Sequence, residues 1–390
     1  MKTVLIVLLA ATSISADVRQ VITGNNKLTA DIYETLLPKN QANFLFSPFS
    51  AQTVLALVQS GARGQTEQEL KSVLHLPNNQ RDVEEGFETL LPSLKTARGY
   101  SFHVANKIYL NHDFNIKSGF RRTATDVFGA DVGTVDFSRS LQAANTMNQW
   151  VEQQTNDKIR DLISPSKIGS STKAIVINAL YFNGNWSTPF KRFITKKRDF
   201  YTPGRTPTQV DTMLKNEDDI TFNYAESKVL RAQFLELPFQ GREVSMVFVL
   251  PFEMDGISYL EQHIDKVFEP QAWTREYVNM SIPKFKIESE LDVKQILQNL
   301  GVRAPFSPEL ADFKGISDGR LVISDVIQKT FIDVHESGVE AAAATYAGLT
   351  LLSIQSTPEP KQFNVNHPFI FYIKIKELVV FAGRVVMPLV

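Results

Sequence analysis

Three residues in the C-terminal half stand in the order that acyl-transfer chemistry uses. Gly315-Ile316-Ser317-Asp318-Gly319 spells the G-x-S-x-G pattern of a nucleophile elbow, and Asp333 and His335 follow as acid and base. In such a site the serine attacks an acyl carbon, the histidine takes its proton and the carboxylate orients the imidazole. That geometry needs a strand before the serine and a helix after it. Here Ala311-Asp312-Phe313-Lys314 precedes and the strand-like Leu321-Val322-Ile323-Ser324 follows, so the pattern reads as a turn, which suits Asp and Gly. Other reactive chemistry is missing. The chain has no cysteine, which excludes thiol nucleophiles and thiolate metal ligands. Its six histidines (His75, His103, His112, His263, His335, His367) never stand at metal-ligand spacing. There is no G-x-G-x-x-G, P-loop or H-E-x-x-H. No enzyme, no metal and no cofactor are expected.

A different chemistry is written in residues 335–353, HESGVEAAAATYAGLTLLS. Alanine favours a helix, yet the stretch also alternates as a strand would. As a strand, one face is Val339, Ala341, Ala343, Thr345, Ala347, Leu349 and Leu351, uncharged and small at its start. The other is Glu340, Ala342, Ala344, Tyr346, Gly348, Thr350 and Leu352, with the only charge and the only ring. Alanine and threonine are cheap to bury and charge is not. Such a segment could wait as an exposed loop and slide between strands later, with Gly338 as a permissive hinge; the plain alternative is an exposed helix with a glycine stop.

The elements around it divide along the chain. Residues 27–37, 51–60, 66–73, 82–95 and 142–163 carry helical spacing. Residues 174–183, 232–238, 243–250, 279–287, 321–334, 369–376 and 378–387 read as strands. Helices first and strands later indicate an α+β fold, and no linker or repeat divides residues 17–390. One domain is expected.

Charge and targeting signals narrow the setting. A formal net charge of -1 argues against nucleic acid and against general attraction to an anionic membrane. Lys2, the apolar run Val4 to Ala11 and the small residues before Ala16 read as a signal peptide over residues 1–16, cleaved after Ser15 or Ala16. A secreted glycoprotein is expected, with sequons at Asn185 and Asn279; Asn279 is the better acceptor because Asn185 has apolar, aromatic neighbours. The cluster Lys191-Arg192…Lys196-Lys197-Arg198 reads as a solvated hairpin edge in preference to a sulfated-polysaccharide site.

The chain resembles the serpin family over nearly all of residues 20–390. The likeness is carried by Asn43-Phe44-Leu45-Phe46-Ser47-Pro48-Phe49-Ser50 and by Asn178-Ala179-Leu180-Tyr181-Phe182-Asn183-Gly184-Asn185-Trp186. Pro283-Lys284-Phe285, His367-Pro368-Phe369-Ile370-Phe371 and Phe381-Ala382-Gly383-Arg384-Val385 carry it in the C-terminal half. Glu336-Ser337-Gly338-Val339-Glu340-Ala341-Ala342-Ala343-Ala344 resembles the hinge of inhibitory members. The resemblance implies helices around three β-sheets and a reactive-centre loop at about residues 338–362. It implies a metastable native state whose main sheet keeps a vacant slot. A protease that cuts the loop becomes an acyl-enzyme, and the freed loop inserts as a strand. The expected partner is a target protease held covalently by a monomer.

Counted from the hinge glutamate as in inhibitory members, the scissile bond is Leu352-Ser353, bait for a chymotrypsin-like enzyme. An apolar Leu351 leaves open a papain-like cysteine protease, and a carrier or storage protein is the non-inhibitory alternative. The resemblance also makes Trp186 the residue where the sheet opens and Ser47, Ser50, Asn178 and Gln328 a polar cluster beneath it. Three departures stand out. Gln328 replaces a usual histidine, Val339 replaces a small hydroxyl residue, and the run from Ser353 to Phe363 is long enough to make Leu351-Leu352 an alternative bond.

Overall fold

The computed structural model describes residues 15–37, 42–94, 99–202, 204, 206–216, 220–339 and 359–389. Most of the expected signal peptide and most of the loop, including Glu340, Ala341, Ala342, Ala343, Ala344, Leu352 and Ser353, lie outside them. The helices are α1 (Ala16–Leu36), α2 (Pro48–Ser60), α3 (Gly64–Val73), α4 (Gln80–Ser93), α5 (Ser118–Asp126), α6 (Ser140–Gln154), α7 (Ile257–Glu261), α8 (Ile264–Val267) and α9 (Val293–Asn299). The strands of the first half are β1 (Phe44–Phe46), β2 (Tyr100–Asn111), β3 (Asp131–Val135) and β4 (Ala174–Asn185). They continue as β5 (Lys196–Phe200), β6 (Thr208–Lys215), β7 (Thr221–Ser227), β8 (Ala232–Pro238), β9 (Val244–Pro251), β10 (Thr274–Pro283) and β11 (Phe285–Asp292). The last are β12 (Asp325–His335), β13 (Gly338–Val339), β14 (Lys361–Asn364), β15 (Phe369–Ile375) and β16 (Leu378–Val385).

Pairing gives two networks. One sheet of six strands runs β11-β12-β13-β4-β2-β3. The other, of ten strands, runs β1-β16-β15-β9-β8-β7-β10-β6-β5, with β14 added to β10. Strand β10 joins two parts of this network. Its residues Thr274 to Tyr277 pair with β7, and Met280 to Pro283 pair with β6. Three sheets are therefore linked as two.

The six-stranded sheet is covered on both faces. Helix α2 is buried from Pro48 to Gln59 and lies beneath it in the main core, with its buried Gln52 and Thr53 bonded to the Leu74 and Phe49 carbonyls. Ser47 caps α2 by accepting from the Ser50 amide, and Pro48 stands at its first turn, where a missing N–H costs nothing. On the opposite face Ala143, Ala144, Met147 and Val151 of α6 pack on Ala105, Ile175, Ile177, Ala179 and Phe331. Double cover explains why β4 reads as a continuous apolar run instead of alternating.

Several boundaries differ from the sequence expectations. Helix α1 begins at Ala16, ahead of the expected residue 27, and runs through Gly24, Asn25 and Asn26. A Cβ on Gly24 would collide with the His75 carbonyl, and the two asparagines donate to Val379 and Glu377 carbonyls at 2.7 Å. Tertiary contact thus overrides a turn-like stretch. Helix α6 stops at Gln154, because Asn156 and Asp157 adopt positive φ. The expected strand 279–287 is split between Pro283, which ends β10, and Phe285, which opens β11. Strand β12 begins only at Asp325; Ile323 and Ser324 send their amides to Pro305 and Ala174 carbonyls.

Candidate functional site at the hinge and seam of the six-stranded sheet

Strands β4 and β12 pair in parallel from Ile175–Asp325 to Tyr181–Phe331. Above that run they part, and Gly338 and Val339 lie between them. Gly338 stands opposite His335 on one side and Asn185 on the other; Val339 stands opposite Val334 and Gly184. Both pairings are antiparallel. The slot expected to be vacant is thus filled at its top by the hinge and closed below by direct pairing. The sheet concerned is also the smaller network by strand count. The reason is that unpaired buried backbone groups are expensive, so the two strands satisfy each other until a third arrives.

Local sequence builds the hinge. Gly338 has φ +151°, and a Cβ there would collide with the Gly184 carbonyl oxygen. Any other residue would push the hinge out of the seam. Val339 is 0% exposed and belongs to the main core, so the branched residue seats fully where a smaller one is usual.

Trp186 follows directly on β4 and is buried at the point of parting. Its indole Nε1 donates to the His335 carbonyl at 3.0 Å, its amide donates to the Ser337 carbonyl at 2.9 Å, and its ring stacks on Phe239 with centroids 4.5 Å apart. Glu336 lies in the turn between β12 and β13. Its carboxylate accepts from Thr195 Oγ1 at 2.9 Å and pairs with Lys284 Nζ at 3.3 Å, while its carbonyl accepts from the Phe190 amide. Burial pushes this carboxyl up, but its own amide, Thr195 and Lys284 together hold it below the usual carboxylate range. Half-burial lowers the His335 imidazole below its ordinary value, against the opposite pull of Asp333 and Glu336. Its Nδ1 accepts from the Ser337 amide at 3.3 Å.

Lower in the seam, Gln328 and Asn178 stand directly opposite each other. Gln328 Oε1 accepts from the Ser47 amide at 2.8 Å, and its Nε2 donates to the Ser47 carbonyl at 2.8 Å and to Asn178 Oδ1. Asn178 Nδ2 donates to Ser50 Oγ and to Asn106 Oδ1. The Ser47 hydroxyl donates to the Val380 carbonyl at 2.7 Å. All five side chains are at most 5% exposed. Because an amide both donates and accepts, Gln328 closes the cluster without a titrating group.

The structure therefore gathers Ser47, Ser50, Asn178 and Gln328 in one network, and Trp186, Glu336, Gly338 and Val339 in another. Sequence reasoning missed Asn106, Thr195 and Lys284. Asn106 had a signal, an amide within the strand Tyr100–Asn111 directly opposite Asn178; Thr195 and Lys284 had none, since only tertiary packing brings them to Glu336. The acyl-transfer pattern does not form an elbow. Gly315 sends its amide to the Gly61 carbonyl, the Ile316 carbonyl accepts from Lys117, and Ser317 lies in an irregular buried stretch without a helix after it. Of the two sequons, the Asn185 amide oxygen is buried without a partner atom, whereas Asn279 is half-buried on β10 beside Gln362. Of the basic cluster, Lys191 and Arg192 lie at the turn Arg192–Ile194 and Lys196, Lys197 and Arg198 fall on β5, which among the described residues pairs only with β6, in keeping with a hairpin edge.

Comparisons with known proteins bear on this arrangement. The profile of the family described as Serpin (serine protease inhibitor) matches residues 23–388. Antichymotrypsin-2 of Bombyx mori is 33% identical over 365 residues, covering 92% of this chain and 96% of that protein. Antitrypsin of the same organism is also 33% identical, covering 92% of each. The crystal structure of Serpin48, described as a highly specific serpin in the insect Tenebrio molitor, superposes with TM-score 0.88 at 45% identity, over 94% of this chain and 98% of that one.

Proposed function

Because the chain belongs to the serpin family, the family of serine protease inhibitors, we propose that it is a secreted suicide inhibitor of extracellular, chymotrypsin-like proteases. The observation that carries this reading is the seat of Gly338 and Val339 between β4 and β12. Their antiparallel register, if insertion continued it downward, would set Ala341 between Ile332 and Phe182, Ala343 between Thr330 and Leu180, and Thr345 between Gln328 and Asn178. The small residues would then meet the packed core, and a hydroxyl would reach the buried amides. Insertion exchanges one parallel ladder for two antiparallel ones, which pair slightly better per residue. Residues 338–352 at ~3.3 Å each make a strand of about 50 Å, the distance over which a tethered protease is carried.

The chemistry belongs to the protease. Its catalytic serine attacks the Leu352 carbonyl carbon, the Leu352–Ser353 bond breaks, and the new amine of Ser353 leaves with the proton. Insertion before hydrolysis distorts the enzyme and preserves the ester. Leucine suits a hydrophobic specificity pocket, and no lysine or arginine stands between Gly338 and Thr357. The relative named antichymotrypsin therefore fits this loop better than the relative named antitrypsin. Leu351 supports a second reading, inhibition of papain-like enzymes. Cleavage of the leader after Ser15 or Ala16 leaves Val18 and the rest of the buried face of α1 intact.

Incubation with chymotrypsin and with a papain-like protease tests the proposal. A complex that survives boiling in detergent is expected, together with a large gain in heat resistance of the nicked chain. Clean cleavage with neither outcome means a carrier or storage protein.

A further inference from the structure

We infer that the edge formed by Phe193, Lys196 and Arg198 is a docking surface for an acidic flank of the protease that cuts the loop; this rests on the inhibitory reading above. Phe193 is 84% exposed, the most exposed large apolar side chain among the described residues. It sits in a single 3-10 turn, Arg192–Ile194, and nothing in the core uses its ring. That turn leads directly onto β5. Along β5 the charges divide by face. Lys197 pairs with Asp211 at 3.2 Å, and Asp199 accepts from Gln209 across the β5–β6 pair. Lys196 and Arg198 point the other way by alternation, and no ion pair joins either to a carboxylate among the described residues. These cations are a local feature, because the whole chain carries a formal net charge of -1.

Position gives the patch its meaning. At one end Arg192 Nη2 donates to Ser337 Oγ at 3.4 Å and Thr195 holds Glu336, so the turn is fastened to the loop's departure point. At the other end a cleft of about 600 Å³ is lined by Lys196, Lys197, Arg198 and Asp199 of β5 and, across from them, by Asn364 and Asn366. The Tyr201 amide donates to the Asn366 carbonyl at 2.8 Å, just beyond β14, where the loop returns. The basic edge thus spans both anchors of residues 340–358. An enzyme closing on a bond in that segment comes down beside it, so the surface is continuous with the bait. An exposed aromatic ring flanked by unpaired cations is the composition of a protein contact with an anionic partner. On the opposite face Lys197 is taken up by Asp211, so β5 offers only the short pair Lys196 and Arg198, which disfavours a linear polyanion.

The test measures association rates of the full chain with an anionic and a cationic chymotrypsin at low and high salt. For the wild-type chain the anionic enzyme is expected to react faster, and salt to slow it. The double variant Lys196→Glu/Arg198→Glu should lower that rate about tenfold or more at low salt and abolish its salt slope, as loss of steering does. Phe193→Ala should slow the anionic enzyme several-fold at any salt. Melting curves and inhibitor-to-enzyme stoichiometry report whether either variant disturbs the seam; Lys196→Gln/Arg198→Gln serves as a milder second pair. Unchanged rates in all variants, with covalent trapping intact, overturn the docking surface and leave the inhibitory reading standing. Retention of the wild-type chain on a heparin column that the double variant loses, with protease rates unchanged, overturns it in favour of a polysaccharide. No covalent complex from the wild-type chain with either enzyme overturns both.

Discussion

At its top the seam between β4 and β12 is parted by Gly338 and Val339; a few residues lower, at Asn178 and Gln328, the same two strands face each other directly. The top is held by the buried Val339 and Trp186 and by an ion pair whose lysine, Lys284, is 25% exposed where it meets the buried Glu336. Exposure of the lysine end weakens that pair. The waist is held by buried amides whose partners sit on three strands and the start of α2. Each amide stripped of its partner costs about 1–3 kcal/mol. On the proposed inhibitory reading, insertion would begin at the top and the waist would set its barrier. Stability of the intact protein would then be a matter of rate.

The comparison breaks most severely if charge is placed where the seam must close. Ala343→Glu should convert inhibitor into substrate, raising the inhibitor needed per enzyme about tenfold or more, because a carboxylate would have to enter the core between Thr330 and Leu180. Full trapping by this variant, read by titration against protease, would show that the register does not continue as drawn.

At the waist, Asn178→Ala removes one of the two bonds of Gln328 Nε2 and the amide donor to Ser50 Oγ and Asn106 Oδ1, and should destabilise the intact chain by about 1–3 kcal/mol. The measurement is thermal unfolding; an unchanged curve removes Asn178 from the barrier. Thr345→Val sharpens the contrast. It should leave the intact chain alone and cost the nicked chain about 1 kcal/mol, since only the inserted hydroxyl meets the amides. Equal melting of the nicked variant and nicked wild type argues against that meeting.

Smaller effects belong to the top. Lys284→Met should cost about 1–2 kcal/mol, since the buried Glu336 loses its counter-ion but keeps the Thr195 hydroxyl. The pH dependence has a definite sign. His335 has a lowered pKa, so the unfolded chain takes the proton first, and stability falls as pH drops below the ordinary value of about 6.5. Glu336 is also lowered, so its contribution holds above the ordinary carboxylate value of about 4.3 and is lost below it. Unfolding rates from pH 7 downward should therefore rise in two stages. His335→Gln should flatten the first in part, since His367 is lowered by burial too. An unaltered first stage would assign it elsewhere.

Much of the site was legible because it is local. The Ser47-Pro48 start of α2, the glycine at 338 and the alternation after it follow from capping, backbone freedom and strand period. The seam's closure was not legible, since a vacant slot and a paired one share the same strand sequences. Nor was Lys284 beside Glu336, because a lysine following a proline in an apolar run names no partner.

What the chain's residue order determined on its own is which side chains share a face and which segment tolerates both helix and strand. Those are consequences of backbone periodicity over a few residues. What only tertiary structure decided is which face meets which neighbour: Gln328 bonds Asn178 from 150 residues away, and β13 lies between strands that pair directly lower down. Such matches depend on burying polar groups with partners in a packed interior, a condition that no short stretch of sequence can state.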